Sequence, residues 1–155
     1  MKKLLLSLAA VSMAALTFSA SAASVSNPFN VKVILQSACK MSTITDVDFL
    51  TYTSLQAGAQ TATGGAFTVT CTNKLPYTLK FVSDAGAATD SGTFPTLNLA
   101  YTLGLSAAGG TGSGLAQSYN VTGGMIAGQA GNCAGPAATT CTETRTAAHT
   151  LFVVY

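Results

Sequence analysis

Charge is the scarcest feature of this sequence. Only 8% of its 155 residues are Asp, Glu, Lys or Arg, few for a monomer surrounded by water. Beyond position 22, five basic residues (Lys32, Lys40, Lys74, Lys80, Arg145) stand against five acidic ones (Asp46, Asp48, Asp84, Asp90, Glu143). No basic stripe can be assembled from these, which argues against nucleic acid as a partner. A surface so poor in charge suits burial against other subunits. Histidine occurs once, at position 149, directly before an apolar C-terminal run. A Ser–His–Asp arrangement is formally possible, yet Gly-x-Ser-x-Gly is absent, and His149 is read as structural. Asp46 and Asp48 could imitate an acid pair but alternate with Val47 and Phe49, as on the wet face of a strand. The glycines of 109–114 lack the Gly-Lys-Ser/Thr ending of a phosphate loop. Asn120-Val121-Thr122 is a glycosylation sequon by pattern and is read as plain strand. The expectation is a non-enzymatic chain without cofactor or metal.

Long apolar runs are also missing, with one exception. Leu4 to Phe18 is apolar over 15 residues, short of the roughly 20 that a membrane span needs. Lys2 and Lys3 precede it and Ala20-Ser21-Ala22 follows, the layout of a secretory signal peptide, so residues 1–22 are expected to be removed. That leaves 133 residues, enough for one domain with a real core. Four cysteines in an exported chain argue for two disulfides. Three pairings are possible. The favoured one joins neighbours in sequence order, Cys39–Cys71 and Cys133–Cys141. A metal site from Cys133, Cys141 and His149 matches no common zinc spacing.

Helical periodicity is absent too, and strand periodicity takes its place. In Phe29–Gln36, Phe29, Val31, Val33 and Leu35 fall on one face of an extended strand. Asn30, Lys32 and Gln36 fall on the other, with Ile34 the exception. Thr43–Tyr52 reads as a strand with Val47 and Phe49 inward, and 57–65 as a turn. Residues 66–72, with Phe67, Val69 and Cys71 inward, and 77–82, with Tyr77, Leu79 and Phe81 inward, read as an antiparallel hairpin. The stretches 83–93 and 106–114 read as loops, 97–103 as a strand, and 118–122 and 125–127 as weaker strands. Residues 128–140 read as a long loop, and 150–155 as a final strand. Short alternating runs punctuated by Gly, Ser and Pro predict an all-β, antiparallel immunoglobulin-like sandwich.

The run Phe29-Asn30-Val31-Lys32-Val33-Ile34-Leu35-Gln36-Ser37-Ala38-Cys39 resembles the start of the spore coat protein U family, which includes the Csu-type pilins of archaic chaperone–usher pili. Asp46-Val47-Asp48-Phe49 with Tyr52, then Ala62-Thr63-Gly64-Gly65 leading into Phe67–Cys71, extend the resemblance. Tyr77–Phe81, Leu99-Ala100-Tyr101 and the apolar terminal strand carry it over nearly the whole exported chain. Leu50 stands where members usually carry Gly, and His149 where an Asp commonly precedes the final strand. The loop between Cys133 and Cys141 looks like an addition.

The resemblance implies an incomplete sandwich that is completed by a strand from another chain. Residues 23–38 would be the donor segment and 39–155 the pilin domain, with Phe29, Val31, Val33 and Leu35 as the plugs. Leu151, Phe152, Val153, Val154 and Tyr155 would line the acceptor groove and serve as the chaperone's handle. The implied partners are identical or related pilin subunits, a periplasmic chaperone and an outer-membrane usher. The product would be a surface pilus supporting adhesion and biofilm formation. The alternatives are a non-polymerising secreted or coat-associated sandwich, a tip adhesin, which normally needs a second domain, and last a secreted enzyme.

Overall fold

A computed structural model describes residues 23–82, 86–133, 140–146 and 149–155. The expected signal peptide, 1–22, lies outside the described residues, as do parts of the loops at 83–85 and 134–139. The chain divides into two units, one up to Ile34 and one from Leu35 onward.

The first unit, as far as it is described, carries no strand. Phe29, Val31, Val33 and Ile34 are 83–87% exposed. The strand expected over 29–36 is therefore not formed. Period two shows that a segment can present one apolar face, but a strand also needs a neighbour for its backbone groups.

The second unit is all-β and antiparallel, without a helix among the described residues. Its strands are β1 (Cys39–Met41), β2 (Val47–Asp48), β3 (Gln60–Thr61), β4 (Thr63–Gly64), β5 (Ala66–Cys71), β6 (Pro76–Phe81), β7 (Thr89–Phe94), β8 (Leu99–Leu105), β9 (Gly109–Thr111), β10 (Gln117–Met125) and β11 (Leu151–Val154). One sheet runs β1-β5-β10-β8-β7, with β3 beside the far end of β10. A second runs β11-β6-β9, and β2 pairs with β4. The core lies between the two larger sheets. Phe67, Val69 and Cys71 from β5, Tyr101 and Leu103 from β8, and Tyr119 and Val121 from β10 meet Tyr77, Leu79 and Phe81 from β6 and Leu151 from β11. Disulfides join Cys39 to Cys71, opposite each other in the β1–β5 ladder, and Cys133 to Cys141.

Several sequence expectations are corrected. The segments 66–72 and 77–82 do not form a hairpin, because both edges of β5 are taken by β1 and β10. A tight turn (Leu75 N–H to Thr72 C=O, 3.0 Å) instead carries the chain across the core into the other sheet. Two strands with one apolar face each can lie side by side or face to face, and period two does not distinguish these.

Other segments read as loops or turns contain strands. Residues 89–94 form β7, 109–111 form β9, and the turn at 57–65 holds β3 and β4. The two weak strands at 118–127 are one nine-residue strand, β10. Its Gly123 is there for packing rather than turning, since a Cβ would lie 2.8 Å from both Ala62 Cβ and Phe49 Cζ. Of the strand expected over 43–52, only Val47–Asp48 pairs. It stops where Leu50 takes a left-handed backbone, φ 55°, with its N–H held by Asp48 Oδ1 at 2.7 Å.

Candidate functional site

The acceptor residues proposed from the resemblance lie on β11 and the residue after it. Among the described residues β11 pairs with β6 alone. Leu79 and Phe81 of β6 send their N–H groups away from β11, to the carbonyls of Ala108 and Ala87. Their ladder partners Val153 and Leu151 therefore hold non-hydrogen-bonded positions, and their own N–H and C=O groups point away from β6. No protein group among the described residues bonds to them. Leu151 is buried and Val153 packs against the core, whereas Phe152 is 36% and Tyr155 60% exposed. Leu-Phe-Val-Val is thus an edge strand apolar on both faces, with none of the charge or proline that usually blunts an edge.

Just before β11, His149 is fixed from two sides. Its Nδ1 lies 2.7 Å from Asp90 Oδ2 on β7, and its Nε2 lies 2.7 Å from the Tyr101 hydroxyl on β8. A carboxylate only accepts, so Nδ1–H donates to Asp90, and in the neutral ring Nε2 accepts from Tyr101. The hydrogen bond from His149 holds the Asp90 carboxyl below its ordinary value, aided by the Ser91 N–H and opposed by desolvation. Burial raises the Tyr101 phenol, Arg145 opposing and Asp90 and Glu143 adding to the shift. Gly92, opposite Tyr101 in the ladder, leaves room for that ring, since a Cβ there would overlap its hydroxyl.

The two bonds of His149 tie the chain ahead of β11 to β7 and β8. Asp90 and Tyr101 were missed as its partners, being 59 and 48 residues away. The only hint was a lone histidine beside a strand. Asp46 and Asp48 are both exposed, and Asp48 Oδ1 accepts from the Leu50 N–H. Among the described residues no group of three or more His, Cys, Asp or Glu is placed to hold a metal. A second polar chain runs from half-buried Gln117 to the buried Tyr77 and Tyr119, with links of 2.6 Å. Burial, then the bond to Tyr119, pushes the Tyr77 phenol far up, so it stays a neutral hydrogen-bonding group.

Phe29, Val31, Val33 and Leu35, the donor plugs that the resemblance implies, are all exposed, Leu35 least at 77%. They form no strand, so their division into two faces rests on the alternation of the sequence.

The family model of the spore coat protein U domain matches residues 25–149. The chain belongs to that family. The match takes in the exposed N-terminal segment, the Cys39–Cys71 ladder, the Asp90 and Tyr101 positions, and His149 as its last residue. No curated protein and no solved structure gives a significant match. The domain is typical of chaperone–usher pilus subunits, a structural rather than an enzymatic class.

Proposed function

We propose that the protein is a structural pilus subunit, exported after loss of residues 1–22 and polymerised by donor-strand exchange. In this reading residues 23–38 of one subunit enter the next as the missing strand, with Phe29, Val31, Val33 and Leu35 facing the core. The acceptor is the β11 edge and its flanks, Leu151 to Tyr155. A periplasmic chaperone occupies that edge first, and an outer-membrane usher exchanges it for the incoming subunit. The filament then serves adhesion and biofilm formation at the cell surface.

The observation that carries the reading is the pairing of two unfinished elements in one family member. β11 is an apolar edge with outward-pointing backbone groups, and the segment ahead of Cys39 is apolar, exposed and without a strand. Each is costly in water alone, and β-augmentation resolves both at once. Burying four large apolar side chains is worth roughly 1.5–3 kcal/mol each before ordering costs, enough for a lasting linkage.

The test is the size of the native protein from the cell envelope, run on a gel without boiling. A heat-sensitive ladder that disappears when residues 23–35 are deleted is the expected result. A single monomer band, with or without that segment, overturns the reading in favour of a non-polymerising sandwich.

A further inference from the structure

Antiparallel sheets have two ends, so among the described residues the two larger sheets end in β1, β7, β9 and β11, with the two-residue β3 a further short edge beside β10. β1 and β9 are three residues long, and short edges template poorly. β7 is six residues and longer than β11. By length alone β7 is the better place to add a strand, and yet its edge is occupied in a different manner.

Both backbone groups of Ala100 on β8 bond to the Gln129 side chain rather than to β7. Its partner Thr93 is therefore in a non-hydrogen-bonded position, and by alternation the backbone groups of Thr93 and Ser91 point outward from β7. Two of them are already met by side chains. The Ser91 N–H donates to Asp90 Oδ1 at 2.7 Å, and Arg145 Nη1 donates to the Thr93 carbonyl at 3.4 Å. The chain leading to β11 follows this edge. Glu143 Oε2 accepts from Thr96 and Leu97 N–H at 2.9 and 3.0 Å, Arg145 reaches Thr93, and His149 reaches Asp90. The contact points descend on β7 as they ascend on the strap, so the strap runs antiparallel to β7. Its described residues touch with side chains, and none of them belongs to a strand ladder on β7.

We propose that Asp90, Arg145 and His149 close the β7 edge to strand addition, leaving β11 as the edge that takes a strand from a second copy of this chain. The identity of that strand rests on the donor-strand reading above, whereas the closure of β7 stands without it. Asp90 has two tasks, its Oδ1 capping the edge and its Oδ2 holding the root of β11 through His149. The same contacts that shut one edge thus hold the start of the other.

The probe is a synthetic peptide of residues 27–38 with a photoreactive benzophenone side chain replacing Phe29. It is offered to the full-length exported protein in whatever assembly it forms, and adducts are mapped by mass spectrometry. Wild type is expected to show none in 89–94. The double variant Asp90→Ala/Arg145→Ala, checked for its far-UV circular dichroism, is expected to show adducts there at roughly tenfold the detection limit, since two edge groups are released. If that variant does not fold, Arg145→Gln alone, which frees the Thr93 carbonyl, is expected to show a smaller rise. Adducts on β7 in wild type overturn the proposal, as does a folded variant that gains none. Labelling of 151–155 is read separately, on the unassembled fraction in which that edge is open: its absence there counts against the donor-strand reading, while the β7 result still decides the closure.

Discussion

Replacing Val153 by proline separates the fold of the subunit from its linkage. The N–H of Val153 points away from β6, because its partner Leu79 bonds Ala108 instead. Proline at 153 therefore removes no ladder bond of the subunit, and an edge strand tolerates it. The residue before it, Phe152, is in a strand as proline requires. Side-chain volume changes little, so the subunit is expected to lose only about 1 kcal/mol. An added strand meets a different situation. It loses one hydrogen bond and buries a carbonyl without a partner, about 1–3 kcal/mol, and the ring obstructs its approach. A fall of roughly 10- to 100-fold in each linkage follows. Phe152→Pro is the control, since Phe152 opposes Lys80 in a hydrogen-bonded pair. It breaks the β11–β6 ladder and is expected to cost the subunit about 3 kcal/mol or more. The assay is thermal unfolding of each variant beside its unboiled gel ladder. Equal melting losses for the two variants, or an intact ladder with Val153→Pro, would refute the edge geometry.

Val31→Asp is expected to abolish the ladder, because it sets a charge among apolar groups at a cost of several kcal/mol, whereas Asn30→Asp on the opposite face leaves it intact. Equal effects would refute the assignment of faces. Leu50→Gly is expected to stabilise the subunit by roughly 0.5–1 kcal/mol in chemical denaturation. Leu50 is 64% exposed with φ 55°, and relief of left-handed strain outweighs the entropy glycine adds to the unfolded chain. Asp90 titrates below its ordinary 3.8 in the folded protein, so its stabilising contribution is complete above that value and lost as pH falls through the lowered one. Acid unfolding of Asp90→Asn is accordingly expected to have a shallower pH slope than wild type below about pH 4, with parallel slopes arguing against the His149 contact.

Local pattern and global pairing divide what could be read in advance. Alternation identified Phe67, Val69 and Cys71, Tyr77, Leu79 and Phe81, and the apolar terminal strand, because the side chains of a strand alternate over two residues and nothing distant is needed to see it. The same period predicted that 29–36 can offer one apolar face, and Asp46 and Asp48 the wet side of their strand. Which strand lies beside which was decided in tertiary structure. β5 and β6 are adjacent in sequence and in opposite sheets, since β1 and β10 had already taken both edges of β5. Threonine-, serine- and glycine-rich segments look like loops, and they became β7 and β9 because β8 and β6 offered them partners. Gly123 falls between the two weak strand segments of the sequence, 118–122 and 125–127, yet lies inside the nine-residue β10, where Phe49 leaves no room for a Cβ. The contacts of His149 with Asp90 on β7 and Tyr101 on β8 join residues far apart in sequence and carry no local signature. A sequence encodes the face each strand presents; the free edges depend on backbone hydrogen bonds between residues far apart, and those exist only once the sheets have formed.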